Sequence, residues 1–186
     1  MLLIEASELQ ALFKAISDNK LSVMEAVDRI NNQIVDSDIS IPEDIILAVD
    51  YRREFVQMIE DGRYDDVDAN ISEENFYYPN DLRNKVSIIS VKLFHFNEEK
   101  SAETAVFEIN SNGYRPATLF ELLTLGAKRP SLQRHFPIVA LGSSWYPPDD
   151  RFVPYLTIDK YERLLKLCRY TAISGSMFRF MAVKKG

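Results

Sequence analysis

The chain has 186 residues, of which 46% are hydrophobic and 27% charged, and its formal charge is −6. These values are typical of a globular protein with one medium domain and a small appendage, and they exclude disordered, collagen-like and disulfide-rich chains. One cysteine (Cys168) and two histidines (His95 and His135) are too few for an intramolecular disulfide, a cysteine-rich zinc site or a histidine-rich metal centre. We therefore expect no metal and no cofactor.

The sequence carries no signal for a membrane. No window approaches the roughly 18 consecutive apolar residues that a spanning helix needs, and the first five residues lack the basic segment of a secretory signal. We expect a cytoplasmic protein without a membrane partner, in a bacterial or viral context as readily as in any other.

Charge is distributed unevenly along the chain. Residues 43–81 hold 12 acids and 3 bases, a net charge of −9, whereas residues 113–186 hold 5 acids and 12 bases, a net charge of +7. Such asymmetry fits a nucleic-acid or acidic-partner surface, packing of the two segments against each other, or separately solvated charges. Because the bases stand singly, nucleic acid is a candidate partner but not the favoured one.

Residues 1–38 have the pattern of a helical hairpin. One helical stripe is formed by Leu9, Leu12, Phe13 and Ile16, and a capping-box pair, Ser22 and Glu25, precedes a second stripe. The apolar face of such a hairpin must be covered by the rest of the chain or by another subunit. The expected partner is therefore an unknown protein or a second copy bound through residues 1–38.

A polar linker at residues 36–40 precedes an α+β domain over residues 43–186. The apolar run at residues 45–49 fits either a buried strand or the start of a helix. Phe55, Met58 and Ile59 favour a helix that ends at Gly62. Residues 63–81 are acidic and aromatic, and we expect an ordered loop pinned by its rings, which are Tyr64, Phe76, Tyr77 and Tyr78.

The rest of the chain has alternating signals for helices and strands. Residues 86–96 predict a central strand covered on both faces, with His95 as a packed or half-exposed core neighbour. Ser101 opens a helix that ends at Gly113, and Thr118 with Glu121 forms a capping box for a helix that runs to Gly126. Four strand-like runs follow at residues 137–141, 152–156, 164–170 and 177–183. This order predicts an α+β fold with a mainly antiparallel sheet rather than βαβ units.

Two segments carry a resemblance to known proteins. Residues 113–123 and 136–145 resemble a group of uncharacterised bacterial proteins with an R-P-A-T-x-x-E-L-L … F-P-I-V-A-L-G-S core, which also share a closing strand like residues 178–183. The resemblance covers residues 45–186 and implies no activity. The motif residues are Gly113, Arg115, Pro116, Thr118 and Glu121.

The same motif is also similar to the R-L-P-T-x-x-E-W/L signature of bacterial C-type-lectin-like domains, including the formylglycine-generating enzyme group. This resemblance implies a domain of two helices and a mainly antiparallel sheet whose loops display a variable binding surface. The calcium-lectin triplets E-P-N and W-N-D are absent, as is a second cysteine. Calcium-dependent sugar binding and the cysteine chemistry of these relatives are therefore not implied.

The candidate ligand or partner surface lies in the last third of the chain. Aromatic and arginine side chains are enriched at binding hot spots, although they also fill ordinary cores and sheet edges. The candidate residues are Trp145, Tyr146, Arg151, Tyr155 and Arg169.

Signals for catalysis are weak. Four serines have only His135 as a plausible partner, and the chain has neither a G-x-S-x-G elbow nor a glycine-rich phosphate loop; the serines are Ser143, Ser144, Ser174 and Ser176. Asp149 and Asp150 fit a solvated turn, and Cys168 fits a small apolar side chain. We assign no catalytic, cofactor-binding or metal-ligating residue.

The sequence thus favours a non-enzymatic binding or interaction protein of unknown ligand. Two alternatives stay open: a nucleic-acid-associated protein that binds through its basic C-terminal half, and a hydrolase of unknown substrate.

Overall fold

The computed structural model describes residues 44–77 and 82–186, together with Lys14. The chain divides into two units, Met1–Pro42 and Glu43–Gly186, and the fold given below is that of the second unit. Apart from Lys14, the helical hairpin expected at residues 1–38 lies outside the described residues, as do the linker at residues 36–40 and Tyr78.

The described part of the second unit contains three α-helices and one eight-stranded sheet, so the α+β class is confirmed. The helices are α1 (Phe55–Gly62), α2 (Ala102–Ser111) and α3 (Leu119–Lys128). The strands are β1 (Ile45–Asp50), β2 (Asp66–Val67), β3 (Val86–Phe94), β4 (Tyr114–Pro116), β5 (Ile138–Val139), β6 (Phe152–Asp159), β7 (Glu162–Arg169) and β8 (Arg179–Lys184). Two short 3₁₀ helices span Leu132–Arg134 and Tyr170–Ala172.

The sheet is mixed and is built around its last strand. The order is β1-β3-β8-β5-β6-β7-β2, and β4 pairs with the end of β8 beyond the part that pairs with β5. The β5–β8 and β2–β7 pairs are parallel, and the other pairs are antiparallel. The four strand-like runs of the last third of the sequence are all strands of this sheet.

The ambiguous run at residues 45–49 is the edge strand β1. Ile45, Leu47 and Val49 are buried and the residues between them are exposed, which is the alternation of a half-buried strand. The expectation that β3 is covered on both faces is wrong, because Ile88 is 79% exposed and Ile46 on the neighbouring strand is 63% exposed. The physical reason is that α2, which covers this face, packs against β8, β5 and β6 rather than over β1.

The sheet separates two hydrophobic clusters. On one face, α1 and α3 pack against alternate residues of the strands, with Phe55 and Phe120 in edge-to-face contact at a centroid distance of 5.8 Å. On the other face, α2 contributes Ala102, Ala105 and Ile109. Successive residues of a strand point to opposite faces, so each central strand contributes to both clusters.

A buried arginine of β7 ties the two helices of the first face together. The Arg163 guanidinium donates to the carbonyl oxygens of Gly62 (2.5 Å) and Gly126 (2.8 Å) and to the Gln133 amide oxygen (2.9 Å), and it lies 5.2 Å from the Tyr64 ring centroid. These two carbonyls belong to the last turns of α1 and α3, where the helix dipole is negative. Burial lowers the pKa of Arg163, and the bound carbonyls partly offset the cost of burying its charge.

Candidate functional site

A cleft of about 470 Å³ lies between residues 74–77 and residues 142–146; we call it the Trp145 cleft. The side chains that stand out at its rim are Tyr77, which is 80% exposed, and Tyr146, which is 66% exposed. Large apolar rings held in water at the mouth of a concave surface are typical of a contact surface, since burying them against a partner is favourable.

The floor of the Trp145 cleft is fixed by the start of α3. The Gly142 amide donates to the Ala117 carbonyl (2.8 Å), and the Leu119 amide donates to the Ser143 hydroxyl (2.9 Å). A Cβ at Gly142 would lie 2.7 Å from the carbonyl oxygens of both Pro116 and Ala117, so only glycine fits this approach. The two halves of the motif noted in the sequence are thus in direct contact.

The motif residues hold the start of α3 in place. Both oxygens of the fully buried Glu121 carboxylate are engaged, at 2.6 and 3.0 Å, by the Arg115 guanidinium. The Tyr51 hydroxyl donates a hydrogen bond to the same carboxylate (3.2 Å). The Thr118 backbone amide also donates to it (2.7 Å), and this bond is the carboxylate half of the predicted capping box. Burial, followed by the Glu121 charge, raises the pKa of Tyr51. The remaining motif residue, Gly113, has φ +81° and ends α2 as predicted.

The wall opposite Trp145 comes from the acidic aromatic loop. Backbone hydrogen bonds such as Phe76 N–H to Ser72 O (2.9 Å) order this loop, and the Phe76 ring is buried. The expectation that all its rings are pinned is wrong for Tyr77, which points into water. Glu74 and Asn75 line the same wall. No local pattern in the sequence assigns Glu74, Asn75 or Tyr77 to the site, although three consecutive rings at residues 76–78 signal that a loop cannot bury them all on one side.

Trp145 and Tyr146 stand at the end of β6, next to Arg151 and Arg169. Trp145 exchanges two backbone hydrogen bonds with Phe152, both 2.9 Å, and the two rings are 5.5 Å apart. Arg169 lies opposite Phe152 in the ladder and pairs with the Asp150 carboxylate at 2.9 Å. These contacts bring four of the five candidate surface residues to one end of the sheet.

The fifth candidate, Tyr155, lies elsewhere. Its ring contacts Phe178 edge-to-face at 5.7 Å and joins the cluster on the α2 face. Phe152, which holds Trp145, and Tyr155 are three residues apart on one strand, so their side chains point to opposite faces. Burial also raises the pKa of Tyr155.

Arg151 sits beside the cleft between two tyrosine rings. Its Nε donates to the Ser144 hydroxyl (2.9 Å), and the guanidinium carbon lies 3.7 Å from the Tyr170 ring centroid and 5.6 Å from that of Tyr146. Burial raises the pKa of Tyr170, and the Arg151 charge opposes this rise.

The candidate nucleophiles have other hydrogen-bond partners. The hydroxyls of Ser143 and Ser144 accept the hydrogen bonds given above, and in the described part of the chain neither is hydrogen-bonded to a histidine. His95 is bound to the Arg179 guanidinium, and burial lowers the pKa of His135. Ser174 and Ser176 are hydrogen-bonded to each other at 3.3 Å. Burial raises the pKa of the Cys168 thiol to about 12.

The described residues contain no group of three or more histidine, cysteine or acidic side chains that could hold a metal ion. No helix among them is long and apolar enough to cross a bilayer. No protein-family model, curated protein or solved structure matches the chain. The geometry of the site is therefore the basis for assigning a function.

Proposed function

We propose that the chain is a binding protein that contacts its ligand through the Trp145 cleft. The observation that carries this proposal is the pair of tyrosines at the rim, Tyr77 and Tyr146, which stay mostly exposed above a floor fixed by backbone and serine hydrogen bonds. Rigid aromatic side chains lose little conformational entropy when a partner covers them, and they dominate the energetics of many interfaces.

The proposed scaffold is a C-type-lectin-like domain. In support of this, strand β3 and helix α2 precede the R-P-A-T motif, the motif opens α3, and strands β5 to β8 follow. The cleft residues Ser143 to Tyr146 then belong to a loop between two of the later strands, which is where such a scaffold would display a variable surface.

Contact without bond-making suits the polar groups of the cleft. The Ser143 hydroxyl accepts from the first amide of α3, and the Ser144 hydroxyl accepts from Arg151 Nε. The side-chain amide of Asn75 donates to the Asn70 carbonyl at 2.8 Å. These groups support the surface, and each would lose a structural hydrogen bond if it acted as a nucleophile or a base.

A fragment screen by two-dimensional NMR tests the proposal without knowledge of the ligand. We expect small polar aromatic fragments to shift the amide signals of residues 74–77 and 142–146 more than those elsewhere. Tyr77→Ala and Tyr146→Ala should each weaken these fragments about tenfold, the usual effect of truncating a hot-spot residue. Tyr161→Ala is the matched control, because Tyr161 is also an exposed tyrosine (56%) but lies in the turn between β6 and β7.

Fragments that cluster on another surface, or tyrosine variants that behave like Tyr161→Ala, would overturn the proposal. Thermal unfolding of each variant keeps the comparison valid, since exposed tyrosines contribute little to stability and the three variants should unfold at similar temperatures.

A further inference from the structure

The donor groups of Arg151 are arranged in an unusual way. The Tyr170 ring lies under the plane of the guanidinium at 3.7 Å, and Nε is held by the Ser144 hydroxyl at 2.9 Å. Both contacts fix the orientation of the side chain. Neither contact is a hydrogen bond of the terminal nitrogens Nη1 and Nη2, which together form a planar fork.

Arg151 also lacks a carboxylate partner within the described part of the chain. The carboxylate of the neighbouring Asp150 forms an ion pair with Arg169 instead. From Arg151 it accepts a hydrogen bond of the backbone amide (2.8 Å) and none of the side chain. Other arginines of the chain do bind acids, namely Arg52 to Asp50, Arg53 to Asp61 and Arg115 to Glu121. A half-buried, oriented guanidinium without an internal anion is suited to bind one from outside.

We infer that Arg151 anchors a carboxylate or phosphate group of the ligand, whose flat apolar part lies against Tyr146 at the rim of the Trp145 cleft. This inference rests on the proposed function and names the chemistry of the ligand for the same cleft. A carboxylate and a phosphate are recognised in the same way, because an arginine fork donates two parallel hydrogen bonds to either group.

The charges around the cleft favour a small anion over a polyanion. Glu74 lines the opposite wall, and the Asp150 carboxylate lies at the backbone amide of Arg151. A nucleic-acid backbone would meet both acids beside the guanidinium of Arg151, whereas such backbones are bound by several cations at once. A ligand with one anionic group avoids this repulsion.

Trp145 gives a direct signal for the test, because it is the chain's single tryptophan. Benzoate, phenyl phosphate and the neutral analogue benzyl alcohol are titrated while Trp145 emission is recorded. We expect a saturable change with at least one of the two anions and binding about tenfold weaker for benzyl alcohol. Benzoate alone would point to a carboxylate ligand and phenyl phosphate alone to a phosphate ligand.

Arg151→Gln should weaken the anions about tenfold and leave benzyl alcohol unchanged. Arg151→Lys keeps the positive charge but lacks the planar fork, so its affinity for the anions should lie between those of the unmodified chain and Arg151→Gln. This graded result would separate anion recognition from a loss of folding. Arg134→Gln is the control, because Arg134 lies away from the cleft, where it donates to the Tyr161 carbonyl in the turn between β6 and β7, and this variant should bind like the unmodified chain.

Four results would overturn the inference. The first is equal binding of benzyl alcohol and the anions, and the second is an Arg151→Gln variant that binds like the unmodified chain. Either result would contradict an anion-anchoring role for Arg151 without contradicting ligand binding at the cleft. A DNA oligonucleotide that binds far more tightly than both small anions points to a polyanion instead. If no anion binds but fragments still map to the cleft by NMR, only the inference fails; if the fragments also map elsewhere, the proposed function fails with it.

Discussion

Arg163 and Arg169 show how the same residue type takes two roles on one strand. They are six residues apart on β7, so both point to the face that α1 and α3 cover. At Arg163 the helix ends close over the strand, and the guanidinium is buried against three oxygen acceptors. At Arg169 the strand has passed beyond the helices, and the side chain is 66% exposed with one acid partner.

Replacing the two arginines should therefore have very different costs. Arg163→Met leaves buried carbonyls of α1 and α3 without donors, and we expect the free energy of unfolding to fall by about 3 kcal/mol. Arg169→Gln removes a surface ion pair, and the loss should stay below about 1 kcal/mol. Urea unfolding followed by circular dichroism measures both values. Similar losses in the two variants would contradict the linking role of Arg163.

At the scale of elements, the start of α3 depends on a loop 24 residues further along the chain. The Glu121 carboxylate accepts a local hydrogen bond from the Thr118 amide, as the sequence indicates, but the first helical amide, that of Leu119, is satisfied by Ser143. The close approach that makes this possible needs glycine at position 142. The helix and the cleft floor are consequently one structural unit.

Two glycine substitutions test this coupling. Gly142→Ala forces a methyl group against two carbonyl oxygens, and we expect a loss of about 1–3 kcal/mol in stability together with a shift of Trp145 emission. Gly113→Ala is the control, because it strains a left-handed turn where nothing lies within 4 Å of a new Cβ, and it should cost about 1 kcal/mol without moving the emission. Unchanged emission in Gly142→Ala would show that the cleft floor does not depend on this contact.

At the scale of the second unit, the acidic and basic segments meet in one sheet. β2, from the acidic segment, pairs in parallel with β7, from the basic segment, and Lys166 forms an ion pair with Asp66 across that junction. The Arg163 amide also donates to the Asp65 carboxylate (2.7 Å). Some of the charges that make the chain asymmetric are therefore paired with each other. This agrees with the interpretation that the acidic and basic segments pack against each other.

Residues 43–186 contain two clusters of buried residues of their own, so we expect this fragment to fold without residues 1–42. Expressed alone, it should unfold in one cooperative transition and keep a near-ultraviolet circular dichroism signal from its packed rings. A fragment without such a transition would contradict this expectation. Light scattering on the fragment and the full chain also tests the sequence-based dimer hypothesis, because a dimer through residues 1–38 requires the fragment alone to be monomeric.

The candidate site was partly foreseeable. Trp145, Tyr146, Arg151 and Arg169 follow one another around two adjacent strand ends, so their residue types and proximity in sequence were enough to group them. Tyr155 was wrongly grouped with them by sequence distance, since strand alternation turns it to the other face. Tyr77 and Glu74 were missed because they reach the cleft from a loop about 70 residues away, and no local pattern records that approach.

The sequence alone determined the features that depend on neighbours within a few residues. The three helices, the strands of the last third, the capping box of α3 and the α+β class all follow from periodicity, turns and caps. Only the tertiary structure decided that residues 45–49 form an edge strand and that Arg163 is buried. It also decided that, among the residues the structure describes, Arg169 pairs with an acid and Arg151 does not. These outcomes depend on which distant segments pack together, and the free energy of that packing comes from the whole core rather than from any local window.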